Sequence, residues 1–186
     1  MFVRTQRLTL RPGWNEDAPA IARAIGHAQV CERLAQVPWP YELTEAQAFL
    51  AAQREARYPA LLIFEHVGPE VRLIGATGIN ARDDGSHALG YWLTPAAWGR
   101  GYATEAAAGV VRMARESLRL KRLVAEHFID NPASGRVLRK LGFRPTGAVV
   151  PRFARARGCE VASVLFELDL QADAPDRCHG IERIAA

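Results

Sequence analysis

Gly99 and Gly101 flank Arg100 just ahead of an amphipathic stretch, in the run Trp98-Gly99-Arg100-Gly101-Tyr102-Ala103-Thr104-Glu105-Ala106. Ala103, Ala106, Ala107, Val110, Val111, Ala114 and Leu118 follow at helical spacing. A helix with one apolar stripe is therefore predicted from about Gly101 to Leu118. Glycines at its mouth remove the side chains that would shield the unpaired N–H groups of the first turn. Those amides and the positive end of the helix dipole make a seat for an anion. On spacing alone two readings are open: a cradle for phosphates, or an ordinary glycine turn before a helix.

The rest of the chain frames this helix in a mixed α/β pattern rather than a strict βαβ alternation. Arg7 to Arg11 alternates apolar and polar residues and reads as a strand ended by Pro12. A helix is expected from about Asn15 to Ile25, with Pro19 tolerable only in its first turn. Pro38-Trp39-Pro40 breaks the chain, and Thr44 with Gln47 suggests a capping box for a second helix that closes at Tyr58-Pro59. Strands follow at Ala60 to His66, Val71 to Asn80 and His87 to Leu93. After the glycine-led helix come a strand at Leu123 to Ile129, apolar on both faces, and a short helix from Pro132 to Leu141 stopped by Gly142. Two last strands span Thr146 to Arg155 and Glu160 to Leu170, joined near Gly158. Residues 1–170 read as one domain, and 171–186 as an appended tail with little periodicity.

With 49% hydrophobic and 24% charged residues, a packed core is expected. No apolar run reaches the ~18 residues of a membrane-spanning helix. Met1 to Pro12 holds Arg4, Arg7 and Arg11 and lacks the apolar stretch of a secretory signal. Cys31, Cys159 and Cys178 are odd in number and widely spaced, so neither a disulfide frame nor a zinc site is suggested; a reducing cytoplasm is the expected home. The net charge of +4 is spread along the chain without a basic-aromatic motif. An anionic small ligand accounts for this mild excess equally well, and nucleic acid is not the expected partner. Gly-x-Ser-x-Gly, HExxH and P-loop patterns are missing from the sequence.

The glycine run resembles the acetyl-coenzyme A loop of the GNAT superfamily, Gln/Arg-x-x-Gly-x-Gly/Ala. Gly101 and Ala103 fill its last two defined positions, and Trp98 departs from the first. The run is more similar to the RimJ/RimL branch, named for N-terminal acetylation of ribosomal proteins. Arg7-Leu8-Thr9-Leu10-Arg11-Pro12, Pro38-Trp39-Pro40-Tyr41, Gly90-Tyr91-Trp92-Leu93, Asn131-Pro132-Ala133-Ser134 and Lys140-Leu141-Gly142-Phe143 carry the rest of the likeness. The resemblance implies a mostly antiparallel twisted sheet of about six or seven strands, about four flanking helices and a splay at the acetyl-CoA site. It also implies acetyl transfer to a primary amine, a protein N-terminus or a small amine, by direct attack. The alternative it leaves is an inactive coenzyme-binding sensor or complex subunit. Acetyl-CoA is the expected cosubstrate, with no metal, and a homodimer is compatible with this branch.

By that resemblance Trp98, Gly99, Arg100, Gly101, Tyr102, Ala103 and Thr104 hold the diphosphate. Backbone groups near Leu93 and the side chain of Asn131 meet the pantetheine arm. Asn131 ahead of Pro132 is in addition a good N-cap on its own chemistry. Ser134 falls on the same helix face as Val137, Leu138 and Leu141, so its hydroxyl needs a partner. Either a backbone carbonyl supplies one, or Ser134 faces the sulfur and assists the departing thiolate, as the resemblance suggests.

A proton acceptor is the remaining requirement. An α-amino group of pKa about 7.8 costs about 1 kcal/mol to neutralise at pH 7, and a lysine of pKa about 10.4 costs roughly 4.6. Glu126 is the leading candidate, since it shares a strand face with Val124 and Phe128, and an apolar setting favours proton uptake by a carboxylate. A related N-terminal acetyltransferase branch carries its base at this place upstream of Asn131. The other reading of Glu126 is a strand-end carboxylate paired with an arginine. His127 and His87 rank behind it, and Glu105 reads as a dipole-complementing residue. Arg152, Arg155 and Arg157, between Val150 and Gly158, are either solubilising or attractive to an acidic acceptor.

Overall fold

In the computed structural model, which describes residues 2–52, 55, 57–68 and 70–171, one eight-stranded sheet organises the chain. Its elements are β1 (Val3–Arg4), β2 (Leu8–Pro12), α1 (Ala18–Ile25), α2 (Ala28–Cys31), α3 (Leu43–Ala51), β3 (Ala60–Val67), β4 (Glu70–Ala81) and β5 (His87–Leu93). They continue with α4 (Tyr102–Glu116), β6 (Arg122–Phe128), α5 (Pro132–Lys140), β7 (Arg144–Ala154) and β8 (Cys159–Asp169). The strand order is β1-β2-β3-β4-β5-β6-β8-β7. Every neighbouring pair is antiparallel except β5 and β6, which run parallel and share a single rung, Ala88 with Val124. Beyond that rung the two strands part, so the sheet is open between Leu89–Leu93 and Ala125–Phe128.

Helices cover both faces. On one, α4 and α5 bury Val110, Ala114 and Leu138 against Leu8, Leu10, Leu61, Ile63, Leu123 and Phe166. On the other, α1 and α3 set Ala18, Ile21 and Ala46 on Leu62, Phe64 and Ala76. Each fully buried Leu, Ile or Phe contributes about 1.5–3 kcal/mol relative to exposure. Arg11 anchors α1 to the sheet: it pairs with Asp17 at 2.7 Å, and its guanidinium lies 3.9 Å from the Trp14 ring centroid and 4.3 Å from that of Phe64.

Several sequence expectations shift. The first helix divides into a 3-10 turn, Asn15–Asp17, and α1, with Pro19 in the first turn as required. The capping box does not form: α3 starts at Leu43 behind an extended Glu42, so Thr44 is already helical and makes no cap. That helix stops at Ala51, before Tyr58-Pro59, because Ala52 turns extended. The segment Val150 to Gly158 is the end of β7 and a tight turn rather than a free loop. The two-residue β1 and the single-turn α2 were too short to leave a periodicity, so the described sheet has eight strands and five α-helices accompany it. The tail lies outside the described residues, apart from Gln171.

Candidate active site

The mouth of α4 has the expected glycine geometry. Gly99 and Gly101 sit at φ 73° and 81°, a region that costs a side-chain-bearing residue roughly 1–2 kcal/mol. Gly101 is the N-cap, and no side chain caps the helix. A Cβ on Gly99 would meet nothing within 4 Å, and one on Gly101 only Arg7 Nη2 at 3.5 Å. The backbone is thus open at both glycines, and no side chain occupies the helix start. Tyr102 turns inward and is buried, while Gly99, Arg100 and Gly101 are exposed. These features fit a diphosphate: bare backbone, an uncapped helix start and cations beside it.

A network that the sequence reading did not foresee shapes the loop. Glu65 on β3 is buried, yet it pairs with Arg100 at 2.9 Å and accepts a hydrogen bond from the Tyr102 hydroxyl. That bond and burial raise the Tyr102 pKa, so the phenol stays protonated. Arg7 lies over the Tyr102 ring at 4.4 Å, donates to the Arg100 carbonyl at 3.0 Å and pairs with Glu105 at 2.7 Å. Glu105 also accepts from the Thr5 hydroxyl and the Arg7 amide, tying the β1–β2 hairpin to α4. Burial opposes its ionisation, but the bonds from Thr5 and Arg7 outweigh burial and its pKa is lowered. The signal for Glu65 was a lone carboxylate directly after the apolar run Leu61-Leu62-Ile63-Phe64.

Leu93 ends β5 at the opening. Thr94 N–H donates to Ile74 on β4, so by antiparallel alternation the backbone groups of Leu93 and Tyr91 point toward the gap. The Leu93 carbonyl already accepts from the Trp98 indole at 2.8 Å. Trp98 is therefore a buttress of the loop, with Arg33 over its ring at 4.6 Å. Ala103 and Thr104 are half-buried in the first turn of α4.

On the far side of the gap, Asn131 caps α5 by accepting from Ser134 N–H at 3.4 Å. The Ser134 hydroxyl lies 2.8 Å from the Tyr91 hydroxyl, which also donates to the Ser134 carbonyl at 3.1 Å. Burial pushes the Tyr91 phenol up to about 12 against the lowering effect of the Ser134 bond. Tyr91, read from sequence only as a packing residue, thus bridges β5 and α5 across the opening. The composition of a lone strand could not reveal this pairing.

Glu126 does not have the apolar surroundings expected of it. Its carboxylate lies between Arg82, with Nη2 2.6 Å from Oε2, and Arg152, whose Nε is 3.2 Å from Oε1 and 3.1 Å from Oε2. Arg82 closes the β4–β5 hairpin and Arg152 comes from β7; neither neighbour is near Glu126 in sequence. His127 points the other way, under α5, where a Cβ on Gly135 would come within 2.6 Å of its Nε2. His87 stacks on Tyr58 at 5.6 Å. Arg155 and Arg157 are engaged with the carbonyls of Gln36 and Glu32 and with Asp130, so they pin the β7–β8 turn instead of facing an acceptor. Among the described residues, no group of three or more His, Cys, Asp or Glu is placed to hold a metal ion, and no helix is long and apolar enough to cross a membrane.

The family model described as acetyltransferase (GNAT) domain matches residues 7–144. The uncharacterized N-acetyltransferase YoaA of Bacillus subtilis (strain 168) is 30% identical over 155 residues, covering 80% of this chain and 85% of the relative. RimL, a ribosomal-protein alpha-N-acetyltransferase solved in complex with coenzyme A, aligns with a TM-score of 0.79 at 18% identity, covering 93% of this chain and 100% of that one. A ribosomal-protein-S5-alanine acetyltransferase from Vibrio fischeri aligns with a TM-score of 0.76 at 16% identity, covering 94% and 100%. These last two likenesses are of fold.

Proposed function

Since the chain belongs to the GNAT acetyltransferase family, we propose that it transfers the acetyl group of acetyl-CoA to a primary amine by direct attack. One observation carries this reading: two exposed left-handed glycines at an uncapped helix start stand next to strands that part after one rung. Acetyl-CoA, when bound, supplies the acetyl thioester. The amides of Gly101 to Thr104, with Arg100 and Arg7, take the diphosphate, and the open backbone edge at Tyr91 and Leu93 pairs with the extended arm.

In the transfer, the amine nitrogen bonds to the thioester carbonyl carbon and the carbon–sulfur bond breaks. Glu126 takes the amine proton through a water. Among the described residues its Oε1 accepts one contact, from Arg152 at 3.2 Å, which leaves a lone pair for that water. Ser134 turns its hydroxyl from the Tyr91 oxygen to the departing sulfur and donates to it, while the Tyr91 hydroxyl keeps its bond to the Ser134 carbonyl. An N-terminal α-amine suits this machinery better than a lysine, because about 3.6 kcal/mol less is needed to neutralise it at pH 7.

Calorimetry with acetyl-CoA and thiol release with a panel of peptides, polyamines and aminoglycosides test the reading. Saturable binding with release for at least one amine is expected. Absence of coenzyme heat and of thermal protection overturns it.

A further inference from the structure

Glu126 is surrounded by more positive charge than it neutralises. Arg82 and Arg152 converge on one carboxylate, and side-chain exposures of 23%, 20% and 38% for Arg82, Glu126 and Arg152 leave the group open on one side. Arg82 engages Glu126 through Nη2, and Arg152 through Nε. Among the described residues, both terminal nitrogens of Arg152 are left without a protein acceptor. A guanidinium offers five N–H donors in a flat fork, and its terminal edge matches a carboxylate.

The place of this pair matters as much as its charge. Along β6, Leu123 and Ala125 enter the core under α4 and α5, so Val124 and Glu126 take the opposite face. Arg152 opposes Val161 in a ladder whose neighbouring rung on that face is Val150 with Ser163. Ser163 itself opposes Phe128, so Arg152 and Glu126 share one surface of the sheet. On β5 the same surface carries Ala88 and Gly90, and a Cβ on Gly90 would meet only Asn80 Nδ2, at 3.4 Å. The surface therefore carries no side chain at Gly90, beside the opening between β5 and β6, with Trp92 the next residue of β5 on that face. The other two arginines of this region are spent on Gln36, Glu32 and Asp130.

We infer that Arg152 and Arg82 select the acceptor: the amine that enters this face carries its own carboxylate, bound end-on by the free edge of Arg152. The inference rests on the acetyl-transfer reading above and adds the chemical class of the acceptor. Glu126 aligns both guanidiniums, so the arriving carboxylate meets a preformed fork. An acceptor with a second cation at the same distance faces two like charges. The carboxylate has two sources, the side chain of an acidic residue next to a peptide N-terminus, or the carboxylate of a free amino acid.

The test uses the full chain with acetyl-CoA and three C-terminally amidated peptides that share an N-terminal residue and differ in the next one, Glu, Gln or Lys. Free glutamate and its amide form a second arm. The expected result is kcat/KM about tenfold or more higher for the Glu peptide than for the Gln peptide, and lowest for the Lys peptide. In Arg152→Gln that ratio collapses toward unity while the KM for acetyl-CoA holds; Arg152→Lys, a point charge without the fork, restores part of it. A preference for free glutamate over the peptides assigns the carboxylate to a small molecule. Equal use of the Glu, Gln and Lys peptides, or a ratio unchanged in Arg152→Gln, overturns the inference while leaving acetyl transfer standing. Binding of the N-acetylated Glu and Gln peptides to the coenzyme-loaded protein is measured in parallel. If no amine is acetylated yet the Glu product binds more tightly in an Arg152-dependent way, transfer fails and the anion site stands. Equal binding of the two products overturns the site.

Discussion

At the scale of single residues, the acceptor side is built on contradiction: the carboxylate proposed to take the amine proton is held by two cations. Glu126→Gln removes the negative charge and leaves Arg82 and Arg152 facing each other. Turnover should fall about 100-fold or more, in the range of a lost general base, while acetyl-CoA affinity measured by calorimetry stays the same. An equal loss in both quantities would mean that Glu126 only holds the strands together. From sequence, Glu126 and Ser134 were visible as polar groups in apolar patterns, because a local alternation of residues marks them. Their partners were not: Arg82 in the β4–β5 turn, Arg152 on β7 and Tyr91 on β5 come from other parts of the sheet, and pairings over such separations leave no periodic trace in the chain.

Elements tell a different story, since their limits are written locally. His87–Leu93 forms β5 with the limits read from the sequence, Asn131 caps α5, and Gly142 at φ 90° ends it. Proline and glycine punctuation was sufficient there. The apolar stripe of α4 was legible in Ala106, Ala107, Val110 and Ala114, but Tyr102, Gly109 and Met113 are buried as well. Gly109 accepts Val3 at a place where a Cβ would lie 2.8 Å from Val3 Cγ1, a contact made by a strand too short to be read. Gly101→Ala tests the element that matters most. At φ 81° the substitution should cost about 1–2 kcal/mol, which a thermal melt reads directly. Because the first-turn amides must stay aligned, acetyl-CoA affinity should fall as well. A stable variant with unchanged affinity would separate the glycine from the coenzyme. Asn131→Ala, by comparison, should cost about 1 kcal/mol, roughly 2–4 °C in Tm, through loss of the cap alone.

For the molecule as a whole, acid should loosen the join between the N-terminal hairpin and α4. Glu105 has a folded pKa below its ordinary value, so its contribution to stability is complete at neutral pH, above that value, and is lost as pH falls through the lower, folded one. Asp17, lowered chiefly by its hydrogen bond from Arg11, and Asp130, lowered by Arg157, behave with the same sign. Thermal melts should hold steady at neutral pH and decline on acidification from about pH 4.5 downward. Glu105→Gln should lower Tm near neutrality and make the acid decline shallower; a decline of unchanged steepness would assign acid sensitivity to other groups.

A lone rung between β5 and β6 also divides the strand ladder into two blocks, β1–β5 and β6–β8, joined by the core under α4 and α5 and by side-chain contacts such as Arg82 with Glu126 and Tyr91 with Ser134. Such blocks need not melt together. Amide deuterium uptake in β7 and β8 should run ahead of that in β3 and β4 in the free protein. A molecule lodged in the breach, bonded to both banks, would bring the two rates together and make catalytic readiness and mechanical unity the same event.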